Sequence, residues 1–151
     1  MKWINHQVVT GVAVYAFTGD YFLTASSMIG AIVPDKLEGN PRSGFSIIRK
    51  ISGHRGWSHA PLIYFFLQGL LYKIRMAHPM LFEGFDITML GQFFFVGALL
   101  HIAEDALCGK VPLLTPRQKI GVKLFKVGSV AEYVVTLILI LIFYLINKNF
   151  L

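Results

Sequence analysis

The sequence predicts an all-α fold, a polytopic membrane helical bundle of about five helices, four to five of them transmembrane. Three observations carry that prediction. Hydrophobic residues fill 55% of the 151 positions, and the mean hydropathy is +0.61. Charged residues make up only 15%, against about 25% in an ordinary soluble domain. Apolar runs recur along the chain, the strongest from Val130 to Ile146, broken only by Glu132, Tyr133 and Thr136; with its flanks it is long enough to cross roughly 30 Å of hydrocarbon.

Hydropathy places the elements in order within one domain, 1–151. A first, weak helix is expected over 5–18. The segment opening it contains His6, Gln7 and Thr10, too polar for a signal-peptide core, so Met1 onward is read as mature chain. After the break Thr18-Gly19-Asp20, a second helix runs over 21–33 and stops at Pro34-Asp35. Both are shorter than the roughly 20 residues of a lone span, so they are either spans extended by their flanks or a buried hairpin. A third helix is expected over 58–74, with Ser58 as N-cap and Pro61 in the first turn, where its missing N–H costs nothing. A fourth covers 87–107, with Gly91, Gly97, Ala98 and Ala103 as small surfaces for close helix approach. A fifth covers 129–147. No repeat or second domain is evident.

The loops set the topology. Loop 34–58 carries Lys36, Arg42, Arg49, Lys50 and Arg55, and loop 108–128 carries Lys110, Arg117, Lys119, Lys123 and Lys126 with no acid. The connection 75–86 offers only Arg75. The positive-inside rule therefore puts both basic loops on the cytoplasmic side of the membrane. The formal charge of +6 follows from this topology and from anionic headgroups; the basic loops lack the interleaved aromatics of a nucleic-acid binder. The lone Cys108 excludes an intramolecular disulfide and an all-cysteine metal site.

With that topology the polar residues meet at one interface: His6, Asp35, His54, His59, His101, Asp105 and Glu132. Gly53-His54-Arg55-Gly56-Trp57-Ser58-His59 is the densest stretch, with two imidazoles and a guanidinium ahead of an apolar run. His101 and Asp105 are i and i+4 on one helical face, and such groups in an apolar run cost free energy unless paired or functional. Glu104 lies near that face. Taken singly, several have ordinary explanations: an interfacial His6, a helix-ending Asp35, a salt-bridged Glu132. Together, a His/Asp set without thiolate fits a divalent metal, zinc first, with manganese or iron as alternatives, in one to three ions.

These residues carry a resemblance. His6, Pro34-Asp35, the hexapeptide His54 to His59, His101-x-x-x-Asp105, Pro112 to Pro116 and Gly128-x-x-x-Glu132 follow one another as in the bacterial YdjM-like, LexA-regulated family of membrane-bound metal-dependent hydrolases, over nearly the whole chain. The family often continues Pro-Asp-x-Asp, where this chain has Leu37; Ser58, Ala60 and Cys108 are further departures. The order of ligands is more distantly similar to zinc-dependent phospholipase C. The resemblance implies a hydrolase of a phosphoester, plausible membrane-lipid substrates included, with its site on the cytoplasmic side. Asp35, His59, His101 and Asp105 would hold the essential ion, and His6, His54 and Glu132 a second ion or its surroundings. Arg55 would neutralise phosphoryl charge, and Glu104 or Glu132 would act as general base. The rivals are a metal or ion carrier, which should place its ligands near mid-membrane, and a structural membrane protein whose polar cluster only locks helices together.

Overall fold

The computed structural model describes residues 1–39, 51, 53–78, 80–82 and 85–150. Most of the first basic loop, with Arg42, Arg49 and Lys50, lies outside the described residues. Helix α1 spans Trp3–Thr18, α2 Tyr21–Gly30, α3 Val33–Glu38, α4 Pro61–Ala77, α5 Ile87–Cys108 and α6 Val130–Phe150. A single 3-10 turn, Trp57–His59, precedes α4. Two minimal antiparallel hairpins complete the described elements: β1 (Leu81–Phe82) with β2 (Phe85–Asp86), and β3 (Val111–Pro112) with β4 (Lys119–Ile120).

The chain runs back and forth between two ends. The α1–α2 turn is closed by Gly19 in the left-handed region, φ 63°, whose N–H caps Tyr15 O at 2.8 Å, and by Asp20, which accepts from Phe22 N and Leu23 N. At the same far end, Asp86 caps α5 through Met89 N at 3.0 Å and pairs with Arg75 of α4 at 2.6 Å. The opposite end gathers the start of α1, α3, the 3-10 turn, the end of α5 and the β3–β4 hairpin. The last carbonyls of α5 are satisfied there by the basic loop, with Val122 N on Ala106 O at 2.8 Å and Leu124 N on Leu107 O at 2.7 Å. Free helix-end carbonyls would otherwise be costly in an apolar setting.

Burial is inverted relative to a water-soluble domain. His6, Thr10, His59, His101, Asp105 and Glu132 are among the most deeply buried side chains, while Phe65, Phe66 and Leu70 of α4 and Val134, Leu137 and Leu141 of α6 are exposed. Such an apolar exterior around a polar interior suits a lipid environment and would be an aggregation hazard in water.

Among the described residues, helices α5 and α6 are long and apolar enough to cross a membrane; α1, α2 and α4, with 16, 10 and 17 residues, fall below the usual length for a lone span. Two expectations are corrected. The second helix does not stop at Pro34: it breaks at Ala31-Ile32, and Pro34 sits in the first turn of a new helix that carries Asp35, where proline is well tolerated. Ser58 is not the cap of α4, which begins at Pro61 after Ala60. Its hydroxyl instead lies 3.0 Å from His59 Nδ1.

The closest packing joins α2 to α5. A Cβ at Gly30 would fall 1.8 Å from Phe94 O, and one at Gly97 would fall 1.9 Å from Ser27 O. Only glycine permits this backbone approach. Gly97, His101 and Asp105 follow at i, i+4 and i+8 on one face of α5, so the glycine seam leads directly to the polar cluster.

Candidate metal centre

Four side chains from three parts of the chain converge at the polar end. Asp35 comes from α3, His59 from the 3-10 turn, and His101 and Asp105 from α5. His59 Nε2 lies 3.3 Å from Asp35 Oδ1 and 3.5 Å from Asp105 Oδ2. His101 Nε2 lies 3.6 Å from each of the same two oxygens. All four donor atoms are within 4.8 Å of one another.

These distances fit a metal. Four of the six donor–donor separations, at 3.3–3.6 Å, equal the edges of a tetrahedral zinc with bonds of about 2.0–2.2 Å, and the other two lie within 4.8 Å. Neither His59 Nε2 nor His101 Nε2 has a hydrogen-bond partner, although both are buried. Orphaned ring nitrogens are costly in an apolar interior unless something binds them. Two imidazoles and two carboxylates form a mixed set suited to zinc, manganese or iron.

The electrostatics also favour a cation. Burial alone would push the Asp35 carboxyl up, but the imidazoles of His101 and His59 outweigh it and hold the group well below the ordinary carboxylate range. Burial opposes a charge on His59, yet the Asp105 and Asp35 carboxylates raise its pKa above the usual value. The His59 shift reports the negative charge of two carboxylates at one buried point, and the Asp35 shift reports the two imidazoles that face it.

Around the four lies a supporting set, part of it absent from the sequence prediction. Glu38 is buried on α3 one turn beyond Asp35. Its Oε2 is 3.6 Å from His59 Nδ1 and accepts from Arg55 N at 3.0 Å, while its Oε1 is 2.6 Å from His54 Nδ1. The family pattern draws attention to Leu37, which is half exposed; the carboxylate facing the histidines comes from the next position. An i, i+3 relation to Asp35 was the available signal. His6 is stacked on His101 at a centroid distance of 3.9 Å. Its Nδ1 is 2.6 Å from Glu104 Oε2, whose other oxygen accepts from Thr10 Oγ1 at 3.2 Å. His6 Nε2 has no hydrogen-bond partner and lies 3.4 Å from Asp105 Oδ1.

Other predicted residues stand elsewhere. His54 is outside the four-donor group: its side chain is 65% exposed and turned to Glu38. Arg55 does not point into open space for a substrate. Its Nη2 is 2.7 Å from Asp105 Oδ1, and its side chain is only 13% exposed. Glu104 is occupied by His6 and Thr10. Glu132 is fully buried and accepts from Lys2 N and Asn5 Nδ2, each at 2.6 Å, and from Gly128 N. Those bonds tie the start of α1 to the start of α6.

A mostly helical membrane protein with a buried His/Asp cluster at one end of the bundle is the class that this fold and site define. The family model of the YdjM inner membrane protein matches residues 1–150, and the chain belongs to that family. No curated protein and no solved structure matches it, so the likeness to phospholipase C rests on the order of the ligands alone.

Proposed function

We propose that this chain is a membrane-embedded, metal-dependent hydrolase acting on a phosphoester, with membrane phospholipids as the substrate class. The observation that carries it is the four-donor centre with two orphaned imidazole nitrogens spaced at 3.3–3.6 Å from the carboxylate oxygens. Asp35, His59, His101 and Asp105 would hold the ion. A divalent ion that accepts a further ligand beside these four would supply Lewis acidity to a phosphoryl oxygen and to water at neutral pH.

The remaining residues prepare that chemistry. Ser58 and Glu38 fix the ring of His59 from behind, as outer partners of ligating histidines do. Glu104, itself held by Thr10, holds the Nδ1 side of His6 and leaves Nε2 beside Asp105 to accept a proton. His6 thus replaces Glu104 and Glu132 as the proton-moving group. The basic loop 108–128 lies at the same end as the centre, which by the positive-inside rule faces the cytoplasm and the inner-leaflet headgroups. Helices α1, α2 and α4 complete the four- to five-span bundle around the two long helices. Placement at one end disfavours ion transport, which calls for a mid-membrane site.

The test is release of phosphorylated headgroup from phospholipid–detergent mixed micelles by wild type and Asp105→Asn. Losses from outer partners alone run to about 10–100-fold, so removing a ligand should cost more than about 100-fold. A folded Asp105→Asn protein with undiminished turnover would refute the assignment.

A further inference from the structure

Resting on the four-donor centre above, we propose that the centre takes a single ion and that the Arg55 guanidinium permanently occupies the place of a second. Two-metal hydrolases hold their ions about 3.5–4 Å apart, commonly with a carboxylate between them. Asp105 is placed to be that carboxylate: Oδ2 faces His59 and His101, and Oδ1 faces the other way. On the Oδ1 side the donors a second ion would use are Oδ1 itself and His6 Nε2, 3.4 Å apart. Positive charge already stands there, with Arg55 Nη2 at 2.7 Å and the Met1 amino group at 2.9 Å.

The seat of the guanidinium is built into the chain. Arg55 adopts φ 51°, the left-handed region that a side chain rarely takes, and its N–H is held by Glu38 at 3.0 Å. That conformation sends the side chain across to α5, where Nη1 also reaches Asp105 O at 3.4 Å. Gly109 leaves the necessary space: a Cβ there would fall 2.4 Å from Nη1. The Gly109 backbone is extended, φ −169°, a conformation open to any residue, so the guanidinium is what excludes a side chain. A fixed organic cation holds Asp105 so that its inner oxygen points at the ion, and unlike a second metal it neither exchanges nor is chelated. Arg55 is thus a positioning residue.

The experiment measures ions per chain by elemental mass spectrometry on the full chain in detergent, saturated with zinc and gel-filtered. Wild type should hold one. Arg55→Ala, which leaves Oδ1 only the Met1 amino group at 2.9 Å, should hold two, and Arg55→Ala/His6→Ala should return to one. Gly109→Ala keeps the arginine but displaces it, and should also rise to two; it decides the matter alone if Arg55→Ala does not fold. Two ions in wild type, or one or fewer in both Arg55→Ala and Gly109→Ala, would overturn the inference while leaving the four-donor centre standing. A wild type that takes none overturns that centre and this inference together.

Discussion

Replacing Gly97 with alanine should part α2 from α5 and loosen a metal centre that the substituted residue does not touch. The new Cβ would fall 1.9 Å from Ser27 O, a backbone atom with no rotamer by which to escape, and real Cβ contacts hardly ever come under 3.0 Å. Relief therefore needs a shift of about 1.1 Å (3.0 − 1.9) at least, and about 1.5 Å to reach the ordinary contact of 3.4 Å. Asp35 follows α2 closely in the chain, whereas His101 and Asp105 ride on α5, so the centre spans the seam being opened. Ligand positions tolerate only about 0.2 Å. Overpacking should cost about 1–3 kcal/mol, read as a lower thermal midpoint in detergent, and metal content should fall well below wild type. Gly69→Ala on α4 is the control, because a Cβ there meets nothing within 4 Å; it should leave both quantities unchanged or slightly raise stability. Wild-type midpoint and metal content in Gly97→Ala would refute the reasoning.

Two further predictions follow from single contacts. Glu38→Gln should weaken metal affinity by about 10–100-fold, measured by chelator competition, because it removes the charge behind His59 Nδ1; unchanged affinity would assign Glu38 to the loop rather than to the centre. The Asp86 pKa falls from 3.8 to about 2, through the Thr88 hydroxyl, with burial opposing it and Arg75 adding to the fall. A lowered folded-state value means that its stabilisation is complete above about pH 4 and is lost as pH falls through about 2. Asp86→Asn should flatten the acid limb of the thermal midpoint over that window, and an unaltered limb would exclude Asp86 as its source.

Much of the site was legible because the bilayer makes polar residues conspicuous. His101 and Asp105 declared themselves by i, i+4 spacing in an apolar run, and the structure gathers them with Asp35 and His59. The two basic loops, read only as a topology signal, predicted that these residues share one end of the bundle. Glu132 was equally conspicuous, but conspicuousness alone does not reveal that its carboxylate accepts from Lys2, Asn5 and Gly128. His54 and His59 were hard to rank for another reason. Positive φ at Gly53 and Arg55 turns the chain so that one histidine faces outward and the other inward, and no periodicity reports such a turn. Glu38 was hidden by its place in a short helix read as the start of a loop. The second helix was read three residues too far, to 33 rather than Gly30, because a hydropathy window runs on through the break at Ala31-Ile32, where hydrophobicity continues although the helix does not.

The most direct measurement is metal content of the detergent-purified protein, prepared without chelators and compared with a folded His59→Ala/Asp105→Ala variant. At least one tightly held zinc or manganese per wild-type chain, absent from the variant, is the predicted result. A wild-type chain that is metal-free and stays so after metal is added back would contradict the metal centre and leave the buried His/Asp cluster as a helix-locking device.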